Sequence, residues 1–321
     1  MAPCIPHRAL AADPAAQVQV APYDAPIRYS GRWDTADKTG PRCEWPACMV
    51  TLKFTGTAIN ARLSDPGHNF WQVFVDGKPA AKLALQSGAH DYPIVSGLAP
   101  GEHIVTLAKA TESFFGPTQF LGFTLDAGAK PLAPAPVTRR IEVIGDSISC
   151  GYGLEAANQR EHFSPGTENA ADAYGALAAR KLDADYACLA WSGRKMWPDN
   201  TLPEIYDRTI PTEPASKWDF SSWTPDAIII NLSTNDFGKA DPDEAQWTAA
   251  YRRFIALLRT HYPNAQIYCC TGPMLGDGAT RKPRADAVRY VQEIVATENT
   301  AGDAKIHFLD FGQQDSANGI G

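Results

Sequence analysis

The sequence lacks several features that would place it in other classes of protein. It has no run of about 18 apolar residues, the length that a helix needs to cross a membrane. It has no cluster of lysine and arginine, and 29 basic against 36 acidic residues give a net charge of −7, so binding to nucleic acid is not expected. A hydrophobic fraction of 44% with 20% charged residues is ordinary for a folded protein and excludes a disordered tail.

The seven cysteines form no Cys-x-x-Cys pair, which argues against a zinc ribbon or a thioredoxin-type site. Cys43 and Cys48 flank a short loop, and either a local disulfide or two free thiols is compatible with their spacing. Cys188, Cys269 and Cys270 lie in apolar runs, where buried thiols are the expectation.

The N-terminal part of the chain predicts a head, a β domain and a linker. Residues 1–26 begin with an Ala/Pro-rich stretch in which Ala9-Leu10-Ala11 is similar to a signal-peptide cleavage site without the apolar core before it. A signal remnant and a disordered head both remain open. Residues 27–128 hold short β-branched and aromatic runs separated by turn signals, which predicts a β-sandwich or jelly roll. Residues 129–138, rich in proline and alanine, predict a linker.

Residues 139–321 alternate between strand and helix patterns, which predicts an α/β fold with a doubly wound parallel sheet. The expected strands are nearly continuous apolar runs, as in sheets buried on both faces: 141–144, 186–190, 227–232, 266–270 and 306–311. The expected helices have apolar residues at helical spacing: 171–182, 244–260 and 281–297. Functional sites of such sheets lie at the carboxyl ends of the strands.

Three of those strand ends carry residues suited to serine catalysis. Ser147 in Gly-Asp-Ser follows the first strand, where it is either a nucleophile at a helix start or a helix cap. Gly193 follows the second strand, as an oxyanion donor or a simple turn residue. Asn235 follows the third strand, as an oxyanion donor or an Asx turn. Each motif is ambiguous alone, but together they occur in order after consecutive strands.

These motifs resemble the SGNH/GDSL hydrolase superfamily. The strings IEVIGDSISCGYG, SGRKMW and INLSTNDF, with RYSGRWD and VFVDGKP further upstream, resemble the branch that carries an N-terminal jelly roll, carbohydrate esterase family two. The resemblance implies that Ser147 is the nucleophile, that the oxyanion hole consists of the Ser147 and Gly193 N–H groups and the Asn235 side chain, and that no metal or organic cofactor takes part.

The sequence departs from that family after the last expected strand. The family supplies its catalytic histidine there, whereas residues 312–321 read GQQDSANGIG and contain no histidine. Because serine needs a base to accept its proton, we expect impaired activity for this chain and a C-terminus that stops short. His307, inside the strand, and His162, in a polar loop, are weak alternatives as the base.

The aromatic residues near these motifs suggest a sugar-binding cleft. Trp197 is the best candidate to line it, and Arg194 is a candidate for substrate contact. Further tryptophans are expected around the site: Trp191, Trp218 and Trp223.

The sequence therefore predicts a monomeric esterase that removes O-acetyl groups from xylan- or mannan-type carbohydrate, secreted or periplasmic by resemblance. Two alternatives remain open: a non-catalytic carbohydrate-binding protein on the same fold, and an esterase for lipid or thioester substrates.

Overall fold

The computed structural model describes residues 16–314. Its N-terminal part is built from eleven β-strands. In chain order they are β1 (Val18–Val20), β2 (Arg28–Ser30), β3 (Arg42–Cys43), β4 (Met49–Gly56), β5 (Ile59–Asp65), β6 (Phe70–Val75), β7 (Lys78–Ala84), β8 (Gly88–Val95), β9 (Gly101–Lys109), β10 (Thr118–Leu125) and β11 (Lys130–Leu132). We call residues 18–132 the β domain.

The β domain is a sandwich of two antiparallel sheets. One sheet has the order β1-β10-β5-β8 with β3 on β10, and the other has the order β11-β4-β9-β6-β7 with β2 on β4. Alternate residues of β5 point inward, so that Ile59, Ala61 and Leu63 are buried. Trp45 and Trp71 are fully buried in the same apolar cluster. Strand alternation thus creates the buried layer between the sheets, as expected for a sandwich.

Two short strands fall in segments that the sequence predicted to lack regular structure. Strand β1 pairs with β10 and buries Val20, so the expected head does not extend to residue 26; residues 1–15, with Ala9-Leu10-Ala11, lie outside the described part. Strand β11 pairs with β4 inside the expected linker. Strands of three residues show too little alternation to be recognised from sequence. Cys43 and Cys48 are buried free thiols, so no local disulfide forms between them.

The C-terminal part confirms the predicted α/β fold with a parallel sheet. Five strands, all paired in parallel, lie in the order β13-β12-β14-β15-β16. They are β12 (Arg139–Gly145), β13 (Ala184–Ala190), β14 (Ala227–Asn231), β15 (Gln266–Thr271) and β16 (Ile306–Asp310). The helices are α1 (Ser147–Cys150), α2 (Tyr174–Lys181), α3 (Thr234–Phe237), α4 (Glu244–His261) and α5 (Pro283–Thr300). We call residues 139–310 the α/β domain.

Local sequence signals explain the long helices. Helix α4 begins after Asp243, whose side chain accepts a hydrogen bond from the Gln246 N–H, and its buried residues recur at helical spacing. Helix α5 begins at Pro283, a residue favoured in the first turn because its missing N–H would have no partner there. Helix α2 begins three residues later than the predicted 171–182. Within residues 16–314 no helix combines the length and the apolar character needed to cross a membrane.

The two domains share buried polar contacts. Arg32 of the β domain is 1% exposed and donates hydrogen bonds to the carbonyl oxygens of Tyr206 and Arg208. Its guanidinium also lies 3.6 Å from the carboxylate of Glu142, a fully buried residue of the interior strand β12. Glu44, also in the β domain, accepts hydrogen bonds from Thr212. These contacts fix the β domain against the strands that carry the candidate site.

Candidate active site

The site lies where three neighbouring parallel strands end at the same level. Gly145 at the end of β12 pairs with Ala190 at the end of β13 and with Asn231 at the end of β14. The turns that follow these residues therefore meet at one edge of the sheet. This is the edge where sites of parallel α/β sheets form.

Ser147 is the first residue of α1, directly after the tight turn that follows β12. Asp146 caps this helix: its carboxylate accepts a hydrogen bond from the Ile148 N–H at 3.0 Å. Gly145 is required because a Cβ there would lie 2.0 Å from the Ser149 hydroxyl oxygen. Ser147 itself is half-buried, and among residues 16–314 its hydroxyl has no hydrogen-bond partner. The turn thus presents an accessible serine hydroxyl.

Asp146 is a buried carboxyl with an unusual proton affinity. Burial raises its pKa to about 7, against the opposing effect of the hydrogen bond from Ile148. The negative charges of Asp236 and Glu112 raise the pKa further. Within residues 16–314 its side chain contacts the Ile148 N–H and Asn235, so Asp146 orders the backbone of the turn that carries Ser147.

Gly193 lies at the third position of a turn from Trp191 to Arg194. The Arg194 N–H donates to the Trp191 carbonyl oxygen at 3.2 Å, and Gly193 has a φ of 79°. A type II turn requires positive φ at this position, which favours glycine. Gly193 is exposed, and a Cβ on it would meet nothing within 4 Å. Backbone conformation, not crowding, thus explains the glycine.

Asn235 lies in α3, after β14. Its Nδ2 donates to the Arg194 carbonyl oxygen at 3.0 Å and makes a longer contact of 3.4 Å to the Asp146 carboxylate. The side chain therefore connects the turn of Ser147 with the turn of Gly193. The three motifs are brought together by the structure, as their positions after consecutive strands predicted.

Asp236 was not among the expected site residues, but it holds the loop after Gly193. Its carboxylate accepts hydrogen bonds from the N–H groups of Met196 and Trp197 and from the Trp247 indole. Burial raises its pKa to about 6, against these hydrogen bonds. The Asn-Asp sequence was the available signal, since an acidic residue next to a site residue often orders the neighbouring backbone.

A cleft of about 410 Å³ opens beside Gly193 and Asn235. Trp197 lines it, together with charged residues that the sequence analysis did not single out: Lys195, Asp236, Lys239 and Asp241. Its walls are therefore charged as well as aromatic.

The other expected contacts lie elsewhere. The Arg194 guanidinium stacks on the Trp191 ring and donates to the Thr201 carbonyl oxygen, and it does not line this cleft. The Trp218 ring packs on Arg32, and the Trp223 indole donates to Asp185, so neither belongs to the cleft. Aromatic composition alone gave no information on which way these rings face.

The histidines of residues 16–314 make contacts away from Ser147. His307 is hydrogen-bonded to Gln266 and packs on Tyr268. His261 stacks on Phe220. His90 and His103 are bound within the β domain, and His68 and His162 have no hydrogen bond to the site. Within the described residues, no histidine is hydrogen-bonded to Ser147.

The last described residues run toward the turn that carries Ser147. The Gln314 N–H donates to the Pro273 carbonyl oxygen, next to Gly272. A Cβ on Gly272 would lie 3.1 Å from the Ile148 Cδ1. The backbone after β16 thus passes close to the helix that starts at Ser147.

Comparison with known families and proteins agrees with this geometry. Residues 29–136 match the carbohydrate esterase 2 N-terminal family, and residues 143–320 match the GDSL-like lipase/acylhydrolase family. The chain is similar to a cellulase/esterase, CelE, of Acetivibrio thermocellus, with 40% identity over 92% of this chain and 36% of that protein. It is similar to an acetylxylan esterase/glucomannan deacetylase of Cellvibrio japonicus, with 35% identity over 70% of this chain and 66% of that protein.

A solved structure is also similar. It is a family two carbohydrate esterase from Clostridium thermocellum in complex with cellohexaose, with a TM-score of 0.86, 39% identity, and coverage of 91% of this chain and 90% of that chain. The chain spans only 36% and 66% of the lengths of the two curated relatives named above.

Proposed function

We propose that this chain, which belongs to the GDSL-like lipase/acylhydrolase family, is a serine esterase that removes O-acetyl groups from carbohydrate. The observation that carries the proposal is the meeting of Ser147, Gly193 and Asn235 at the carboxyl ends of three adjacent strands. A nucleophile beside two possible oxyanion donors is the arrangement that acyl transfer requires.

In this proposal Ser147 attacks the carbonyl carbon of an acetyl ester. The negative charge that develops on the carbonyl oxygen is stabilised by the N–H groups of Ser147 and Gly193 and by the Asn235 amide. The long 3.4 Å contact between Asn235 and Asp146 leaves one amide hydrogen available to a closer acceptor. The sugar hydroxyl leaves, and water then hydrolyses the acetyl-enzyme. No metal or organic cofactor has a step in this route.

The cleft favours a carbohydrate over a lipid substrate. Trp197 offers an aromatic face, and Lys195, Lys239 and Asp241 offer charged groups that can hydrogen-bond hydroxyls. A lipid chain would remove these charged groups from water without offering them hydrogen bonds, which is unfavourable. The similar proteins named as acetylxylan esterase/glucomannan deacetylase support xylan- or mannan-type substrates. We further propose that the enzyme acts as an exported monomer.

We further propose that residues 1–321 turn over acetyl esters slowly, because no histidine of residues 16–314 is hydrogen-bonded to Ser147. The test is hydrolysis of an aryl acetate and release of acetate from acetylated xylan, with Ser147→Ala as the background. A chain lengthened at its C-terminus by a histidine-containing segment is compared in parallel. A large gain that Ser147→Ala abolishes supports both the nucleophile and the missing base.

Two results would contradict parts of this proposal. Fast turnover by the 321-residue chain, lost in Ser147→Ala, would show that another group serves as the base. Turnover that persists in Ser147→Ala would show that Ser147 is not the nucleophile.

A second candidate function is glycan binding without turnover, and it is favoured because no histidine of residues 16–314 is hydrogen-bonded to Ser147. Calorimetric titration of xylo-, manno- and cello-oligosaccharides into the 321-residue chain tests this candidate. Saturable binding that Trp197→Ala weakens, with no acetate release from acetylated forms, would support it. Absence of binding would exclude it.

A further inference from the structure

The turn that carries Gly193 is held by a residue of the other domain. The Glu112 carboxylate accepts a hydrogen bond from the Ser192 N–H at 2.7 Å and from the Ser192 hydroxyl at 2.5 Å. Ser192 directly precedes Gly193. Its N–H takes no part in the hydrogen bond that closes the turn, which joins the Arg194 N–H to the Trp191 carbonyl oxygen. Both carboxylate oxygens of Glu112 thus accept hydrogen bonds from Ser192.

Glu112 is itself firmly placed. It follows β9, is fully buried, and its backbone N–H donates to the Glu168 carboxyl of the α/β domain at 2.9 Å. Its carbonyl oxygen accepts a hydrogen bond from the buried Lys109 ammonium. The carboxylate is therefore anchored by its own backbone before it reaches Ser192.

The surroundings limit the charge at this point. Burial, and then the nearby charge of Glu112, raise the pKa of Glu168 to about 9. Glu168 therefore keeps its proton at neutral pH and adds no second negative charge beside Glu112. A carboxylate that accepts bonds from an N–H and a hydroxyl makes stronger hydrogen bonds than a neutral acceptor does.

The other end of the segment 191–197 is also held by a carboxylate, since Asp236 accepts hydrogen bonds from the N–H groups of Met196 and Trp197. The segment 191–197 is thus fixed at one end from the β domain and at the other from α3. With both ends fixed, the direction of the Gly193 N–H is determined by contacts outside the turn. An oxyanion donor is effective when it is aimed before the reaction starts.

We propose that Glu112 is a positioning residue for the esterase reaction: through Ser192 it aims the Gly193 N–H at the oxyanion. The β domain then contributes to catalysis without touching the substrate. This inference rests on the proposed function for its catalytic part, but the positioning itself can be tested without turnover.

The chain offers a matched control for Glu112. Glu44 is also a fully buried glutamate of the β domain, and it also accepts a backbone N–H and a hydroxyl, both from Thr212 of the α/β domain, at 2.9 and 2.8 Å. Thr212 does not line the cleft. Loss of either glutamate removes the same kind of contact between the domains, but only Glu112 holds the turn of Gly193.

The first measurement is amide hydrogen exchange by mass spectrometry on the full chain. Glu112→Ala is expected to speed exchange in residues 191–197 by at least about tenfold, since the turn loses a charged hydrogen-bond acceptor, and to leave residues 209–216 unchanged. Glu44→Ala is expected to do the reverse. Unchanged exchange in 191–197 for a folded Glu112→Ala protein would overturn the proposal.

The second measurement is steady-state hydrolysis of an aryl acetate above the Ser147→Ala background. Glu112→Ala is expected to lower kcat about 10- to 100-fold with KM within twofold, whereas Glu44→Ala leaves both within twofold. Glu112→Gln is expected to recover most of kcat, since its carbonyl oxygen can accept the Ser192 N–H. Equal losses of kcat in Glu112→Ala and Glu44→Ala would overturn the positioning role.

Ser192→Ala provides a variant that keeps Glu112 and is expected to fold. It removes only the hydroxyl contact, so its loss of kcat is expected to be smaller than that of Glu112→Ala. The double variant Ser192→Ala/Glu112→Ala is expected to have the same kcat as Glu112→Ala alone. Fully additive losses would show that Glu112 acts by another route. If neither the unmodified chain nor the chain lengthened by a histidine-containing segment shows turnover, the esterase proposal fails, and the exchange experiment still decides whether Glu112 positions the turn.

Discussion

The buried cation of Arg32 offers a sharp test of how the two domains are joined. Its guanidinium lies 3.6 Å from the Glu142 carboxylate and within 4.9 to 5.4 Å of the ring centroids of Tyr206, Trp218 and Phe220. Glu142 has one more partner, the Tyr206 hydroxyl at 2.7 Å. Replacement of Arg32 by methionine keeps the packing volume and leaves a carboxyl buried without its cation.

The expected cost follows from what loses a partner. Removing one member of a buried ion pair costs about 3–5 kcal/mol, because the other charge stays desolvated. The Arg208 carbonyl oxygen keeps a second donor in the Trp45 indole, whereas the Tyr206 carbonyl oxygen loses its Arg32 donor, so the penalty falls on Glu142 and on this carbonyl. We therefore expect Arg32→Met to lower the free energy of unfolding by about 3–5 kcal/mol at pH 8.

The penalty should depend on pH in a defined direction. Burial raises the pKa of Glu142, and Arg32 opposes that rise. Without Arg32 the pKa moves higher still, so the folded state of the variant holds a proton that the unfolded state releases above its ordinary pKa of about 4.3. Stability of Arg32→Met should thus fall as pH rises above that value. The penalty is smaller at pH 5 than at pH 8.

The assay is urea unfolding followed by circular dichroism at both pH values. The double variant Arg32→Met/Glu142→Gln is expected to return to within about 1 kcal/mol of the parent, because a buried pair replaced on both sides is often neutral or better. Arg62→Met removes an exposed pair with Asp91 and should cost less than about 1 kcal/mol. An Arg32→Met penalty that is equal at pH 5 and pH 8, and that Glu142→Gln does not relieve, would refute the ion-pair reasoning.

Three further outcomes follow from the site. The raised pKa of Glu168 makes the parent lose stability as pH rises from about 5 to 9, so Glu168→Gln is expected to become more stable relative to the parent over that range. Thermal melts across pH check this, and plots of Tm against pH that run parallel for the two proteins would contradict it. Asn235→Ala is expected to lower kcat about 10²- to 10³-fold with little change in KM if its amide is an oxyanion donor, and an unchanged kcat would remove it from that role. Gly145→Ala is expected to prevent accumulation of soluble folded protein, because its Cβ would lie 2.0 Å from the Ser149 hydroxyl oxygen; a normal melting curve would show that the turn can shift.

Much of the α/β domain could be predicted because its signals are local. The strands are apolar runs of five to seven residues, and their ends are marked by glycine, serine and asparagine. The position of Ser147, Gly193 and Asn235 after consecutive strands is a property of chain order, which parallel topology converts into proximity.

The parts that could not be predicted depend on distant residues. Glu112 meets Ser192 across 80 positions of sequence, and nothing local marks it as a partner. The three-residue strands β1 and β11 are stabilised by pairing with longer strands and not by their own pattern. Trp218 is an aromatic residue in a loop, and only the position of Arg32 on the other domain determines where its ring packs.

The joint between the domains has a consequence for how this chain can be divided or recombined. An α/β domain expressed alone would expose Glu142 without Arg32 and Ser192 without Glu112, so the domain that carries Ser147 would lose its ion pair and the support of the Gly193 turn together. Exchange of β domains between relatives should succeed only where the incoming domain brings an arginine and a glutamate to the same two points. The two domains should therefore be kept together when this chain is divided or recombined.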